Sequence, residues 1–113
     1  MNMEHAQTAM QIIMHAGDAR TETMNALRAL EEFDIEKAKG HLAGAKEYLV
    51  KAHNVQTGEL QAEAEGKEIE YSMLFSHAQD TCMTVYSEMN IAEHLTNVCE
   101  KIDERFRALE RQQ

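Results

Sequence analysis

The chain has 113 residues, no proline and only five glycines, and consists mostly of residues that favour helices. Its 20 Asp and Glu residues outnumber 11 Lys and Arg, and the formal charge of −9 argues against binding to nucleic acid or to an anionic membrane. No apolar run is long enough to span a membrane, so no direct membrane insertion is expected. The length predicts a single domain over residues 1–113, and the composition predicts an all-α fold.

The first helix is predicted at residues 4–32, where apolar and small residues recur at steps of three and four. Its predicted packing stripe consists of Ala6, Met10, Ile13, Gly17, Arg20, Met24, Leu27 and Leu30. Glycine costs up to about 1 kcal/mol relative to alanine inside a helix. Gly17 therefore indicates close approach of a neighbour or a site.

The second helix is predicted to follow a break at residues 32–33, with Asp34 as its N-cap, and to continue to about residue 63. Its predicted packing stripe is rich in alanine and consists of Ile35, Ala38, Leu42, Ala45, Leu49, Ala52 and Gln56. Residues 63–67 are predicted to form the next turn, with Gly66 as a left-handed helix stop.

The third helix is predicted at residues 68–111, about 60 Å of helix at 1.5 Å per residue, and it outreaches the other two. Two stripes run along it. One consists of Met73, His77, Asp80, Thr84, Ile91 and Val98. The other consists of Leu74, Ala78, Cys82, Val85, Met89, Ala92, Leu95 and Phe106. Because a three-helix monomer would leave one of these sides in water, we expect copies of the chain to associate through this helix.

Other kinds of site have weaker support in the sequence. Cys82 and Cys99 lie 17 residues apart on one predicted helix, too far to pair within it, and are expected to be reduced thiols of a cytoplasmic protein. No spacing completes a zinc site, no cysteine is paired with a histidine, and no glycine-rich phosphate loop is present.

Among the six histidines, His77 is the strongest candidate for chemistry. Asp80 follows it by three residues, which places both side chains on one helix face. An imidazole is a nucleophile near neutral pH, and neutral donors could surround a phosphoryl group there. The nearby donors are Gln79, Ser76, Gln56 and Thr57. The alternative is that His77 and Asp80 form an internal polar pair in a non-catalytic helical scaffold or regulatory module.

The remaining histidines are expected to be structural or solvated. His5 is near the terminus and has no predicted role, and His41 is expected to be solvated. A lone histidine near an apolar face usually has a structural hydrogen-bond partner, which is the expectation for His15, His53 and His94.

Four segments, taken in order, resemble the enzyme IIA proteins of the lactose/N,N′-diacetylchitobiose (cellobiose) family of the bacterial sugar phosphotransferase system (PTS). They are IIMHAGDAR at 12–20, AHNVQT at 52–57, EAEG at 63–66 and LFSHAQD at 74–80. The resemblance extends from about residue 9 to residue 102. It implies a three-helix antiparallel subunit that assembles as a trimeric nine-helix bundle.

The resemblance also implies roles for residues. His77 matches the histidine that accepts a phosphoryl group on Nε2 from the phosphocarrier HPr and passes it to a cysteine of the cognate IIB, which phosphorylates a sugar entering through the membrane IIC. Asp80 matches the metal ligand, one from each of three subunits around one divalent cation, taken as Mg²⁺. Gln79 is a possible hydrogen-bond donor to the phosphate. An apolar rim around His77 is expected from Met73, Phe75 and Met83.

The chain departs from the family at one neighbouring position. The family usually follows the aspartate with His-Leu-Met, whereas this chain has Thr81-Cys82-Met83. Threonine carries neither the charge nor the titratable proton of an imidazole. His77 and Asp80 both match, so the carrier interpretation is kept.

Overall fold

The computed structural model describes residues 3–66 and 72–113, which form three helices without strands. They are α1 (Met3–Glu31), α2 (Ile35–Ala64) and α3 (Met73–Arg111). Contacts near both ends of the bundle show that α1 and α3 run in the same direction and α2 runs opposite to both. The bundle is long and thin, with extents of 68 × 21 × 17 Å. The prediction of an all-α three-helix subunit is confirmed.

The turn between α1 and α2 forms as expected. Phe33 has a positive φ of 54°, which ends α1, and the Asp34 side chain accepts a hydrogen bond from the backbone N–H of Lys37. The predicted stripe on α2 is confirmed, since all its members except the half-buried Gln56 are buried. Gly66 has a φ of 89° just after α2, which confirms the predicted left-handed stop.

The predicted packing stripe on α1 is wrong by one residue. The buried residues are His5, Ala9, Ile12, Ala16, Ala19, Thr23, Ala26, Ala29 and Leu30. Of the predicted stripe only Leu30 is buried; the rest are half-buried or exposed, namely Ala6, Met10, Ile13, Gly17, Arg20, Met24 and Leu27. Alanines rather than larger side chains face the core because α1 and α2 pack closely along their length. A Cβ at Gly17 would meet none of the described residues within 4 Å, so none of them requires a glycine there.

α3 begins later than predicted. Ser72 has extended backbone angles, and its side chain caps the helix by accepting a hydrogen bond from the backbone N–H of Phe75 at 3.1 Å. Because Ser72 is not helical, the prediction of a helix that continues from residue 68 through residue 72 is wrong. Residues 67–71, which include the rest of the predicted start, lie outside the described residues.

α3 has an inner face against α1 and α2 and an outer face directed away from them. The inner face is buried and consists of Ala78, Cys82, Val85, Met89, Ala92 and Thr96. The outer face is exposed and consists of Met73, His77, Asp80, Thr84, Ile91, Leu95, Val98, Ile102, Phe106 and Leu109. Leu95 and Phe106 were predicted on the packed stripe but belong to the outer face. The expectation of apolar residues on more than one side of this helix is confirmed.

Candidate functional site

His77 lies about one turn into α3, five residues beyond the cap Ser72. Its side chain is exposed, and no hydrogen bond to its imidazole is found among the described residues. The interpretation of His77 as a core histidine bonded to Asp80 is therefore wrong for the isolated chain. A solvent-accessible imidazole with both ring nitrogens available can act as a nucleophile.

Asp80 is also exposed, one turn further along the outer face. The hydroxyl of Thr84 donates to its backbone carbonyl at 2.8 Å, and the hydroxyl of Thr81 donates to the carbonyl of His77 at 2.8 Å. The described residues contain no cluster of three or more His, Cys, Asp or Glu side chains that could hold a metal ion. The described residues of one chain therefore do not complete a metal site at Asp80.

The predicted neutral donors are not gathered around His77 within one chain. Gln79 and Ser76 are half-buried and project from other sides of α3, since each residue turns the helix by about 100°. Gln56 and Thr57 are half-buried on α2. Of the predicted apolar rim, Met73 and Met83 are exposed, whereas Phe75 is half-buried.

Phe75 is held by a histidine for which no role was predicted. His5 is buried, with 7% of its surface exposed, and its ring stacks on Phe75 at a centroid distance of 4.8 Å. Nδ1 of His5 lies 3.2 Å from Oε2 of Glu59 on α2, so this histidine joins the beginnings of α1 and α3 to the end of α2. The burial of His5 could have been inferred from its spacing, because it lies seven residues before Ile12 and therefore on the same buried face of α1.

His41 also differs from its prediction. It is half-buried rather than fully solvated, and its Nδ1 lies 2.9 Å from Oε2 of Glu22 on α1. Gly44 makes room for this pair, since a Cβ there would lie 3.1 Å from the same carboxylate oxygen. The pair links α1 and α2 far from His77 and has a structural role.

A groove of about 800 Å³ separates α2 from α3 further along the bundle. Its apolar floor includes Leu49, Cys82 and Met89, and the ion pair between Lys46 and Glu93 crosses it. Burial raises the pKa of the Cys82 thiol, so this cysteine is protonated and a poor nucleophile at neutral pH. Both cysteines are free thiols, as expected.

The fold and the site together define a small helical protein in which an exposed histidine, His77, and a neighbouring aspartate, Asp80, share the outer face of the last helix. None of the helices in the described part of the chain has the apolar length that crossing a bilayer requires. The class is thus a helical bundle with an exposed histidine and aspartate on one face of its last helix.

Comparisons with known proteins place this class in a family. The model of the PTS system lactose/cellobiose-specific IIA subunit family matches residues 7–100. The chain is 39% identical over 105 residues to the lichenan-specific phosphotransferase enzyme IIA component of Bacillus subtilis, covering 93% of this chain and 96% of that protein. It is 34% identical over 102 residues to the lactose-specific EIIA component of Staphylococcus epidermidis, covering 89% of this chain and 98% of that protein.

Solved structures agree with these relatives. The cellobiose-specific enzyme IIA from Bacillus anthracis superposes with a TM-score of 0.86 at 31% identity, over 92% of this chain and 95% of that one. PtcA from S. mutans superposes with a TM-score of 0.84 at 35% identity, over 88% of this chain and 99% of that one. The chain therefore belongs to the lactose/cellobiose-specific IIA family of the sugar PTS and is a phosphotransferase component of that system.

Proposed function

We propose that this protein is a cytoplasmic phosphoryl carrier that takes a phosphoryl group from phosphorylated HPr onto His77 and passes it to a cysteine of its cognate IIB. The observation that carries the proposal is the exposed His77 imidazole, for which the described residues offer no hydrogen-bond partner. The IIB in turn phosphorylates a sugar that enters through the membrane IIC. The relatives are named for lichenan, lactose and cellobiose, and together with the family resemblance these names suggest a sugar of the lactose, cellobiose or chitobiose type.

The transfer exchanges one P–N bond for another. The lone pair on Nε2 of His77 attacks phosphorus, the bond to the HPr imidazole breaks, and the electron pair of that bond returns to the HPr nitrogen. One proton moves from the His77 imidazole to the HPr imidazole, so charge and atoms balance. In the second step the cysteine thiol of IIB gives its proton to the His77 imidazole as its sulfur attacks phosphorus, and the P–N bond breaks with its electron pair returning to Nε2 of His77. Such transfers depend mostly on positioning and electrostatics.

We propose further that the working unit is a homotrimer in which three copies of α3 meet along their outer faces. Six large apolar side chains lie on the second half of this face at steps of three and four, namely Ile91, Leu95, Val98, Ile102, Phe106 and Leu109. All are exposed in the single chain, and full burial of each contributes about 1.5–3 kcal/mol. Such steps are the pattern of a helix that supercoils around copies of itself.

Asp80 fits a cation only in such an assembly. Three carboxylates that meet on a symmetry axis repel one another unless a cation or protons neutralise them. A hard divalent ion such as Mg²⁺ prefers oxygen ligands and retains waters, so one carboxylate from each copy is a suitable donor set. When bound, this ion would neutralise charge and link the copies. His77 carries out the transfer from a neighbouring turn.

Thr81 and Gln79 then have limited roles. The Thr81 hydroxyl proton is already donated to the carbonyl of His77, so this side chain gives the phosphoryl group no proton of its own. Gln79 projects from a different side of α3 than His77. We therefore propose that Gln79 donates a hydrogen bond to the phosphoryl group only where the assembly brings it near the His77 of an adjacent copy.

The experiment is incubation with phosphoenolpyruvate, enzyme I and HPr, followed by mass-spectrometric mapping of the phosphorylated residue. We expect one phosphate per chain on His77, stable in alkali and labile in acid, and none in His77→Gln. His15→Gln serves as the matched control, since His15 lies on α1 and is expected to have no part in transfer. Full incorporation in His77→Gln would exclude His77. No incorporation in the wild type would favour the regulatory or scaffold alternative.

A further inference from the structure

The first turn of α3, which places His77, has little contact with the core. Ser72 before this turn and Ala78 after it are buried, but residues 73–77 between them are half-buried or exposed. The first four N–H groups of a helix have no partner within it, and helix ends fray unless other groups hold them. The position of the His77 imidazole therefore depends on the few contacts that this turn makes.

Two contacts of Phe75 hold the turn. Its backbone N–H donates to the Ser72 side chain at 3.1 Å, a bond that stays at the start of α3. Its ring stacks on the imidazole of His5, with a centroid distance of 4.8 Å and an angle of 24° between the rings, which joins the turn to α1. Because His77 follows Phe75 by two residues on the same helix, a shift of Phe75 also shifts His77.

His5 is itself anchored to α2. It is 7% exposed, and its Nδ1 lies 3.2 Å from Oε2 of Glu59, near the end of α2. A carboxylate only accepts hydrogen bonds, so Nδ1 carries a proton and donates to Glu59. The other ring nitrogen, Nε2, is buried and has no hydrogen-bond partner among the described residues. Because an unpaired buried polar atom destabilises a fold and a phenylalanine would avoid it, the bond to Glu59 is what a histidine contributes here.

We infer that His5 is a positioning residue for phosphoryl transfer, because its bond to Glu59 and its stack on Phe75 hold the turn that orients His77. The inference rests on the function proposed for His77. The attacking nitrogen must lie close to phosphorus and in line with the bond that breaks, and a misplacement of about 1 Å can lower the rate about 100-fold. His5 acts through Phe75 and takes no part in the bonds that form and break.

The chain contains a second pair of the same kind, which serves as a matched control. Nδ1 of His41 lies 2.9 Å from Oε2 of Glu22 and joins α2 to α1. Glu22 follows His5 by 17 residues on α1, about 25 Å along the helix, so this pair lies away from the first turn of α3. Removal of either histidine breaks one bond between an imidazole and a carboxylate on different helices. A general loss of stability should therefore affect both variants, whereas a loss of position at His77 should affect only one.

The first test compares His5→Ala with His41→Ala in transfer from phosphorylated HPr. We expect His5→Ala to lower kcat about tenfold and to leave KM within about twofold, because the turn loses its orientation rather than its surface. His41→Ala should leave both constants within about twofold of the wild type. An equal loss of kcat in the two variants would mean that His5 acts only through stability, and the inference would be wrong.

The second test separates positioning from folding. His5→Phe keeps a ring beside Phe75 but removes both the bond to Glu59 and the unpaired nitrogen. We expect an unchanged or higher melting temperature together with a kcat lowered about threefold, a combination that a purely structural role does not give. Glu59→Gln still offers an oxygen to Nδ1 and should keep the wild-type kcat, whereas Glu59→Ala should match His5→Phe. If His5→Phe keeps the wild-type kcat, the bond has no part in transfer and the inference is wrong.

A measurement without HPr separates this inference from the proposed function. Hydrogen exchange over residues 75–80 reports whether the turn is held, and we expect it to be about tenfold faster in His5→Ala and unchanged in His41→Ala. Unchanged exchange in His5→Ala would overturn the inference. Faster exchange with a wild-type kcat would leave the carrier function intact and exclude the positioning role. If HPr does not label His77 in the wild type, the carrier function itself fails and the positioning role fails with it.

Discussion

The two faces of α3 differ in a way that explains why this chain is not expected to act alone. The inner face is narrow and buried and contributes mostly small side chains such as Ala78, Val85 and Ala92 to the core. The outer face carries larger apolar groups such as Ile91 and Phe106, and these are exposed. Ten of the 18 buried apolar residues found in the described part of the chain are alanines, so the three helices approach closely but bury little apolar surface per residue.

The comparison teaches that packing within the chain and assembly between chains use separate sets of residues. A soluble monomer rarely exposes so continuous an apolar strip. The outer face is itself divided, because its first half carries His77 and Asp80 and its second half is apolar. Assembly and chemistry can therefore be disrupted independently.

The largest expected effect comes from charging the apolar half of the outer face. Val98→Glu combined with Ile102→Glu should reduce the oligomer to monomers, because two carboxylates per chain would have to be buried against their copies. The measurement is mass by light scattering at micromolar concentration. Val50→Glu, an equally exposed position on α2, should leave the mass unchanged. An unaltered trimer in the double variant would show that copies do not meet along α3.

The next largest effect concerns Asp80. Asp80→Leu should abolish binding of a divalent cation while leaving helix content unchanged. If three carboxylates meet on an axis, their replacement by apolar side chains is expected to be neutral or stabilising by about 1–4 kcal/mol. Calorimetry with and without a chelator measures both effects, since only the wild type should lose melting temperature when the cation is removed. One cation still bound per trimer of the variant would place the ligands elsewhere.

Much of the division between buried and exposed helix faces could be predicted from the sequence, because residue spacing determines which side chains share a face. The steps on α2 identified its buried residues correctly, and the spacing of His77 and Asp80 placed both on one face. On α1 the same reasoning chose a stripe one residue off, since it weighted Met10 and Ile13 above the alanines that pack. Helices that pack closely require small side chains at their contact, and a pattern of hydrophobicity alone does not reveal where such close packing occurs.

Partners on other helices could not be predicted. His5 and Glu59 are 54 residues apart in the chain, and His41 and Glu22 are 19 apart, so no local pattern joins them. The start of α3 was missed because helix-forming residues precede Ser72. The cap includes a hydrogen bond from the backbone N–H of Phe75 to the side-chain hydroxyl oxygen of Ser72, which composition does not reveal.

A smaller effect is expected at this cap, where both faces of α3 begin. Ser72→Ala removes the acceptor for the Phe75 N–H and should cost about 1 kcal/mol in the free energy of unfolding. Asp34→Ala removes the corresponding bond at α2, from Lys37, and should cost a similar amount. Hydrogen exchange distinguishes them, because only Ser72→Ala should accelerate exchange over residues 75–80. Equal protection there in both variants would show that the cap does not hold the His77 turn.

The smallest expected effect is a pH dependence of the unfolding free energy that arises from the inner face of α3. Burial raises the pKa of the Cys82 thiol on this face. A thiol whose pKa is higher in the folded than in the unfolded chain contributes stability at and below neutral pH, and that contribution is lost as pH rises above about 8.5, where the unfolded chain begins to ionise. We therefore expect Cys82→Ala to lose less stability than the wild type between neutral and alkaline pH. The difference between the two proteins in the slope of unfolding free energy against pH isolates the contribution of Cys82. Identical slopes of unfolding free energy against pH would mean that the thiol is as well solvated as in the unfolded chain, and that the inner face is open to water at this position.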